Sequence, residues 1–241
     1  MLMPGQSLPT AAPAQPWRLP PSGMAVFHGE RQAPRLSHYF MPRLALEGKR
    51  ILFLDGANCA DPRLMARLAE RRGMPFAQFN RQIMLARAFT CFQLTELISR
   101  VPQFLAQFPA QVVIITAFPE LYFDEDIRHS DATAAFEQAL RQLAGIGNRE
   151  WGVGNKELGI GAGNSVPTLH PQPPTPNSQF PTPSPQSPAV TVALFSNASS
   201  FQPPAGRKLF FSQTCAAAAE LWKFQADEQG RMGLEKAGIR G

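Results

Sequence analysis

Residues 51–64 read ILFLDGANCADPRL. Ile51–Leu54 is an apolar run of strand length, of the kind buried on both faces of a sheet. It ends in Asp55. Gly56, Ala57 and Asn58 then turn the chain. Asp61 and Pro62 open a helix, the acid as N-cap and the proline at the first helical position, where a missing N–H is not needed. A buried strand running straight into a helix begins a β-α-β unit. In open sheets built from such units, ligands bind at the carboxyl ends of the strands. Asp55 stands at such an end, where either a metal-dependent nuclease or a nucleotide-binding site would use a carboxylate.

The alternation continues outward. The helix runs from Pro62 to about Arg72 and stops at Gly73. Gln82–Ala88 reads as a strand, and residues 91–108 as a helix broken or kinked at Pro102. Gln111–Thr116 is the clearest buried strand, and Thr116 closes it as Asp55 closes the earlier one. A helix over about Ala132–Leu143 follows an acidic loop. Upstream lies a strand at Gly23–His28, then a polar turn and a segment of no defined structure through Glu47. Downstream come a strand at Val190–Phe195 and two more near Ala217–Phe224 and Arg231–Glu235. The implied fold is α/β, with a mostly parallel central sheet flanked by helices.

Proline sets the domain limits. Of 24 prolines, nine fall between Pro167 and Pro188, a density that neither helix nor sheet tolerates. Residues 1–22 are likewise Pro/Ala/Gln-rich, with Trp17 a candidate docking point. The expected organisation is therefore a flexible lead-in over 1–22, an α/β domain from 23–147 and 189–241, and a disordered insert over 148–188. Net charge is +5, and residues 1–75 carry ten basic against five acidic side chains, so the whole excess sits in the first third. Three scattered cysteines and four histidines lack zinc spacing. No signal peptide and no apolar run of membrane-spanning length is read, so a reduced, cytoplasmic chain with no membrane role is expected.

The stretch ILFLDGANCADPRLMARLAERRGM, followed by RQIMLARAF, resembles the ATPase core of the RecA/RadA recombinase family. The matching residues are Asp55, Pro62, Glu70, Arg71, Gly73, Ala86, Arg87, Ala88, Phe89, Gln93 and Leu94. QVVIITAFPELY resembles the family's fourth-strand region, VTVALFSN the strand ending at its nucleotide-sensing glutamine, and AAAAELWKF and GRMGLEKA its closing strands. The resemblance spans about Gly23–Ala237 without the Pro-rich insert. It implies a RecA-like fold and a role in DNA repair or recombination.

The departures imply a lost active site. A phosphate-binding loop needs glycines to wrap the phosphates, a lysine to reach them and a hydroxyl for Mg²⁺. At the matching place stand Gly29, then Pro34, Arg35 and Leu36. Proline removes an N–H and fixes φ, arginine is no compact lysine, and leucine cannot ligate a metal. The family's catalytic glutamate falls on Ala57, its metal-holding aspartate on Thr116 and its sensing glutamine on Asn197. No ATP hydrolysis and no cofactor are expected, residual anion binding through Arg35 being the alternative.

The implied function is that of a pseudo-ATPase acting by binding DNA, weakly, or a RecA-like or DNA-polymerase partner, with oligomerisation allowed by the fold. Of the family's two DNA-contacting loops, the first matches the acidic Phe123–Asp131 and the second the uncharged Ala198–Gly206, with Arg207 and Lys208 beyond it. A basic stripe lies elsewhere: Arg63, Arg67 and Arg71 at i, i+4 and i+8, with Arg72 beside them. Those six residues are the candidate DNA or partner contacts, against the plainer reading of a solvated helix face. Two other functions compete. One is an interaction module with no nucleic-acid role. The other is a NYN/PIN-like nuclease, which the Asp55-x-x-Asn58 pattern resembles, with Asp124, Glu125 and Asp126 as further metal carboxylates. Arg87 is expected in a structural ion pair. Phe76, Phe79, Phe89, Phe92, Phe104 and Phe108 are expected in the core.

Overall fold

A computed structural model describes residues 19–147, 189–227, 229 and 232–238. Trp17, most of the expected lead-in and the Pro-rich insert lie outside the described residues. The chain is already docked at Leu19, which packs on the core, and the Pro20 carbonyl accepts a hydrogen bond from the Thr191 hydroxyl at 2.7 Å. The last residues of the expected lead-in are thus held against the α/β domain.

The described elements are β1 (Gly23–His28), α1 (Ala33–Leu46), β2 (Ile51–Asp55), α2 (Pro62–Glu70), α3 (Phe76–Asn80), β3 (Ile83–Arg87), α4 (Cys91–Ser99), α5 (Val101–Gln107), β4 (Val112–Thr116), α6 (His129–Gly147), β5 (Thr191–Ser196), α7 (Leu209–Ala216), β6 (Glu220–Ala226) and β7 (Met232–Ala237). Seven strands form one sheet in the order β3-β2-β4-β5-β1-β6-β7. All neighbours pair in parallel except β6 and β7, which are antiparallel. The protein is thus α/β, with a mostly parallel sheet between helices.

Period-2 alternation assigns each strand residue to one of two cores. Val26, Leu52, Leu54, Val113, Ile115 and Leu194 face α4, α6 and α7, whose Leu94, Phe136 and Phe210 meet them. Phe27, Ile51, Phe53, Ile114 and Phe195 face α1, α2 and α3, with Phe40, Met65 and Phe79 opposite. Each such side chain contributes about 1.5–3 kcal/mol by leaving water. β1, β2, β4 and β5 are buried along their whole length, which is why they read as continuous apolar runs.

Three helices depart from the sequence reading, the five-residue α3 among them. The undefined segment before Glu47 is α1, although Pro42 lies inside it. Pro34 sits in the first turn, where no N–H is required, and burial of Phe40, Met41 and Leu44 outweighs the single hydrogen bond removed by Pro42. α7 was not foreseen either: Phe210 and Thr214 are its buried residues. The 91–108 helix is two helices meeting at Arg100, with Pro102 in the first turn of α5.

Candidate functional site

Strand register puts Asp55 at the carboxyl end of β2, level with Arg87 on β3 and Thr116 on β4. Asp55 is fully buried. Its Oδ1 accepts from the Cys59 N–H at 3.0 Å, the Thr116 hydroxyl at 3.1 Å and the Cys59 thiol at 3.4 Å. Its Oδ2 accepts from the Ala60 N–H at 2.8 Å and lies 3.5 Å from Arg87 Nε. A carboxylate offers about four acceptor sites, and these donors fill them. Arg87 also donates to the Ala60 carbonyl at 3.1 Å, and Thr116 Oγ1 accepts from the Ala57 N–H at 3.1 Å. Loop 56–60 is thereby tied to both neighbouring strands. Gly56 is obligatory in it, since a Cβ would sit 2.6 Å from the Thr116 carbonyl oxygen. Burial and the Asp55 charge push the Cys59 thiol up to about 12, so it stays protonated and unreactive.

The start of α1 is closed in a similar way. The Ala33 N–H donates to the Glu30 carbonyl at 2.8 Å, and the Arg35 and Leu36 N–H groups donate to the Gln32 carbonyl at 3.0 and 3.3 Å. Pro34 has no N–H to offer. The Gly29 N–H bonds the Ser196 carbonyl at 3.2 Å, and a Cβ on Gly29 would come within 2.9 Å of Phe224 Cβ. Gly29 thus lets β1 lie close to β6. Arg35 is exposed and lies 3.9 Å from Asp61, and Leu36 packs against the core. Ser37, next to Leu36, donates to the Pro34 carbonyl at 2.7 Å. Buried His38 bridges α1 to α2: Nδ1 donates to the Arg35 carbonyl at 2.8 Å, and Nε2 accepts from the Asp61 N–H at 3.2 Å. Burial holds His38 below the ordinary imidazole range, which fits this neutral tautomer.

A second cluster lies where β1 and β5 end. The Asn197 N–H donates to Glu120 Oε1, while Glu120 Oε2 is buried with no hydrogen-bond partner among the described residues. The residue as a whole is half-buried, but its carboxyl group is enclosed. Burial drives it from an ordinary 4.5 up to about 7, against hydrogen bonds from the Asn197 and Ala198 N–H groups and Ser196. His28 Nδ1 lies 3.3 Å from the Ser199 hydroxyl, which donates to the Gly29 carbonyl at 3.2 Å. Sequence reasoning passed over Glu120 and His38. The available signal for Glu120 was one acid inside the apolar run ITAFPELYF.

The remaining expected site residues scatter. Ala57, Thr116 and Asp55 converge; Gly29 and Asn197 belong to the second cluster. Arg63, Arg67, Arg71 and Arg72 are exposed along and just after α2, and Lys208 is exposed before α7. Arg207 is different. It is 3% exposed, and its guanidinium donates to the carbonyls of Tyr122, Asp124 and Ile127. As an interior clamp on the 122–127 loop it is withdrawn from any surface contact. Asp124, Glu125 and Asp126 are exposed on that loop, and among the described residues no three His, Cys, Asp or Glu side chains converge as a metal site would require. Phe89 and Phe92, expected in the core, are 63% and 50% exposed. Phe89 follows the sheet-edge strand β3, and Phe92 lies opposite the face of α4 that buries Leu94, Thr95 and Ile98. Arg87 is in the expected ion pair. No helix among the described residues is long and apolar enough to cross a membrane. No protein-family model matches this chain, and no relative was found among curated proteins.

Proposed function

We propose that this protein is a catalytically degenerate RecA-like ATPase that acts by binding in DNA repair or recombination, in the cytoplasm, and does not turn over ATP. One observation carries the loss of turnover: at the carboxyl edge, the groups that would meet a nucleotide and its metal are bonded to one another. Asp55 holds its own loop, Thr116 holds Asp55 and Ala57, and the first-turn amides of α1 are bonded within the chain. Phosphoryl transfer needs a lysine, a base and a metal carboxylate positioned together. Pro34, Arg35, Ala57 and Thr116 supply none of these three. Order and spacing of the sequence matches, from Asp55 through the closing strands, support the RecA-like assignment. ATP–Mg²⁺ binding and hydrolysis by the purified chain, with and without single-stranded DNA, tests the proposal. Neither binding at micromolar nucleotide nor turnover is expected. DNA-stimulated turnover would show that the closed arrangement opens into a working site, and the proposal would fall.

A second reading has its own observation. Leu85, Phe89 and Phe92 expose apolar surface at and beside the edge strand β3, as a protein-docking module would. Association with a protein partner and no affinity for DNA at low salt would favour that reading.

A further inference from the structure

We infer that the exposed face of α2 is a docking surface for the phosphate backbone of a nucleic acid, with Arg63, Arg67, Arg71 and Arg72 as the contacts. This deepens the DNA-binding arm of the proposed function and rests on it. The contrast with the other helices carries the argument. Three arginines elsewhere pair one turn along their helices: Arg43 with Glu47 at 3.3 Å, Arg100, just after α4, with Glu96 at 2.6 Å and Arg141 with Glu137 at 3.6 Å; Arg35 on α1 lies 3.9 Å from Asp61. Among the described residues no ion pair includes Arg63, Arg67, Arg71 or Arg72, although exposed Glu70 lies beside them.

Helix electrostatics accounts for only part of this stripe. Cations near the end of α2 complement the helix dipole, but Arg63 lies in the first turn, where a cation is disfavoured. Arg63, Arg67 and Arg71 follow one another at about 6 Å along the axis, a spacing close to that of successive phosphates on one strand. All four are arginines, whose planar fork suits phosphate oxygens. The patch also lacks an apolar anchor. Among the described residues the exposed large hydrophobic side chains are Leu46, Leu85, Phe89, Phe92, Phe201 and Leu209, none of them on α2. A protein partner would seek a buried apolar centre; a polyanion needs none. The two loops that the family resemblance assigned to DNA offer less: one is acidic, and the other is uncharged, with Arg207 just beyond it buried.

Fluorescence anisotropy of labelled single-stranded and duplex oligonucleotides, titrated with the full chain at several salt concentrations, tests the assignment. Four arginine contacts predict a slope of log K against log salt of about −2.8 on single strands and about −3.6 on duplex. The quadruple variant Arg63→Gln, Arg67→Gln, Arg71→Gln, Arg72→Gln should lose at least tenfold in affinity at 100 mM salt, on the order of what four lost phosphate contacts imply, and most of the slope. The matching Arg→Lys quadruple should keep the slope and lose only part of the affinity, and Arg81→Gln with Arg141→Gln, at exposed arginines outside the candidate contacts, should keep both. Circular dichroism confirms that each variant folds, and the exposed positions favour this. Wild-type binding that survives the quadruple change overturns the α2 surface but leaves DNA binding in place. No binding by the wild-type chain at low salt overturns the surface and the DNA-binding arm together, while the ATPase result stands separately.

Discussion

Asp55, read in sequence as a candidate site carboxylate, holds its own loop in the fold. Its charge is enclosed, but two amides, a hydroxyl and Arg87 compensate it. Removing the carboxylate strands all of these donors and leaves Arg87 without its partner. Asp55→Ala is therefore expected to cost on the order of 3 kcal/mol of folding free energy. Thr116→Val removes one hydroxyl that bridges Asp55 to the Ala57 N–H, and about 1–2 kcal/mol is expected. Urea denaturation checks both. The informative result is their coupling: the double variant should cost less than the sum of the two, because Thr116 has little left to hold once Asp55 is gone. Strict additivity would mean that the two residues act separately. The carboxylate at the strand end was legible from sequence; its partners were not, because they come from β3 and β4 and meet it only through register.

At the scale of elements, α2 is the piece the sequence specified most fully. Asp61 has extended backbone and its carboxylate accepts from the Arg63 and Leu64 N–H groups, both at 3.0 Å, with Pro62 next in the chain. Asp61→Ala should destabilise by about 1 kcal/mol. Asp61→Asn keeps the cap and should cost less than half of that by chemical denaturation. An Asn variant as weak as the Ala variant would shift the credit from the cap to the Arg35 ion pair at 3.9 Å. The capping signal is local, so a short window reveals it. α1 was missed for the opposite reason: Pro42 argues against helix locally and no capping side chain marks the start, so only tertiary burial of Phe40, Met41 and Leu44 shows it. Phe89 and Phe92 failed as core residues because hydrophobicity alone does not say which strand is the sheet edge.

For the whole molecule, the parallel sheet was legible from the apolar runs that become β1, β2, β4 and β5, but buried ionisable groups between its loops were not. Those groups give the fold opposing responses to pH. Glu120 is raised from 4.5 to about 7 by burial. Its protonated form is the one the fold favours, so its contribution is complete below about 4.5 and is lost as pH rises through about 7. His28 and His38 are both lowered from 6.5 by burial. Their neutral forms are favoured, so their contributions are complete above 6.5 and are lost as pH falls below it. Lys223 adds to the effect at His28, whereas Asp55 and Asp61 oppose it at His38. Between pH 5 and 6.5 the carboxyl and the imidazoles therefore oppose each other, and wild-type stability should vary little. Glu120→Gln removes one side of the balance. At pH 5 the variant should match the wild type, and at pH 8 it should be more stable by about 1–3 kcal/mol, since a buried charge with an unpartnered oxygen has gone. Its own stability should climb as pH rises from 5 to 7, as the histidines alone dictate. Urea unfolding of both proteins at half-unit pH steps measures this directly. A difference between them that stays constant with pH would mean that Glu120 ionises freely in the folded protein, and that its carboxyl is open to water.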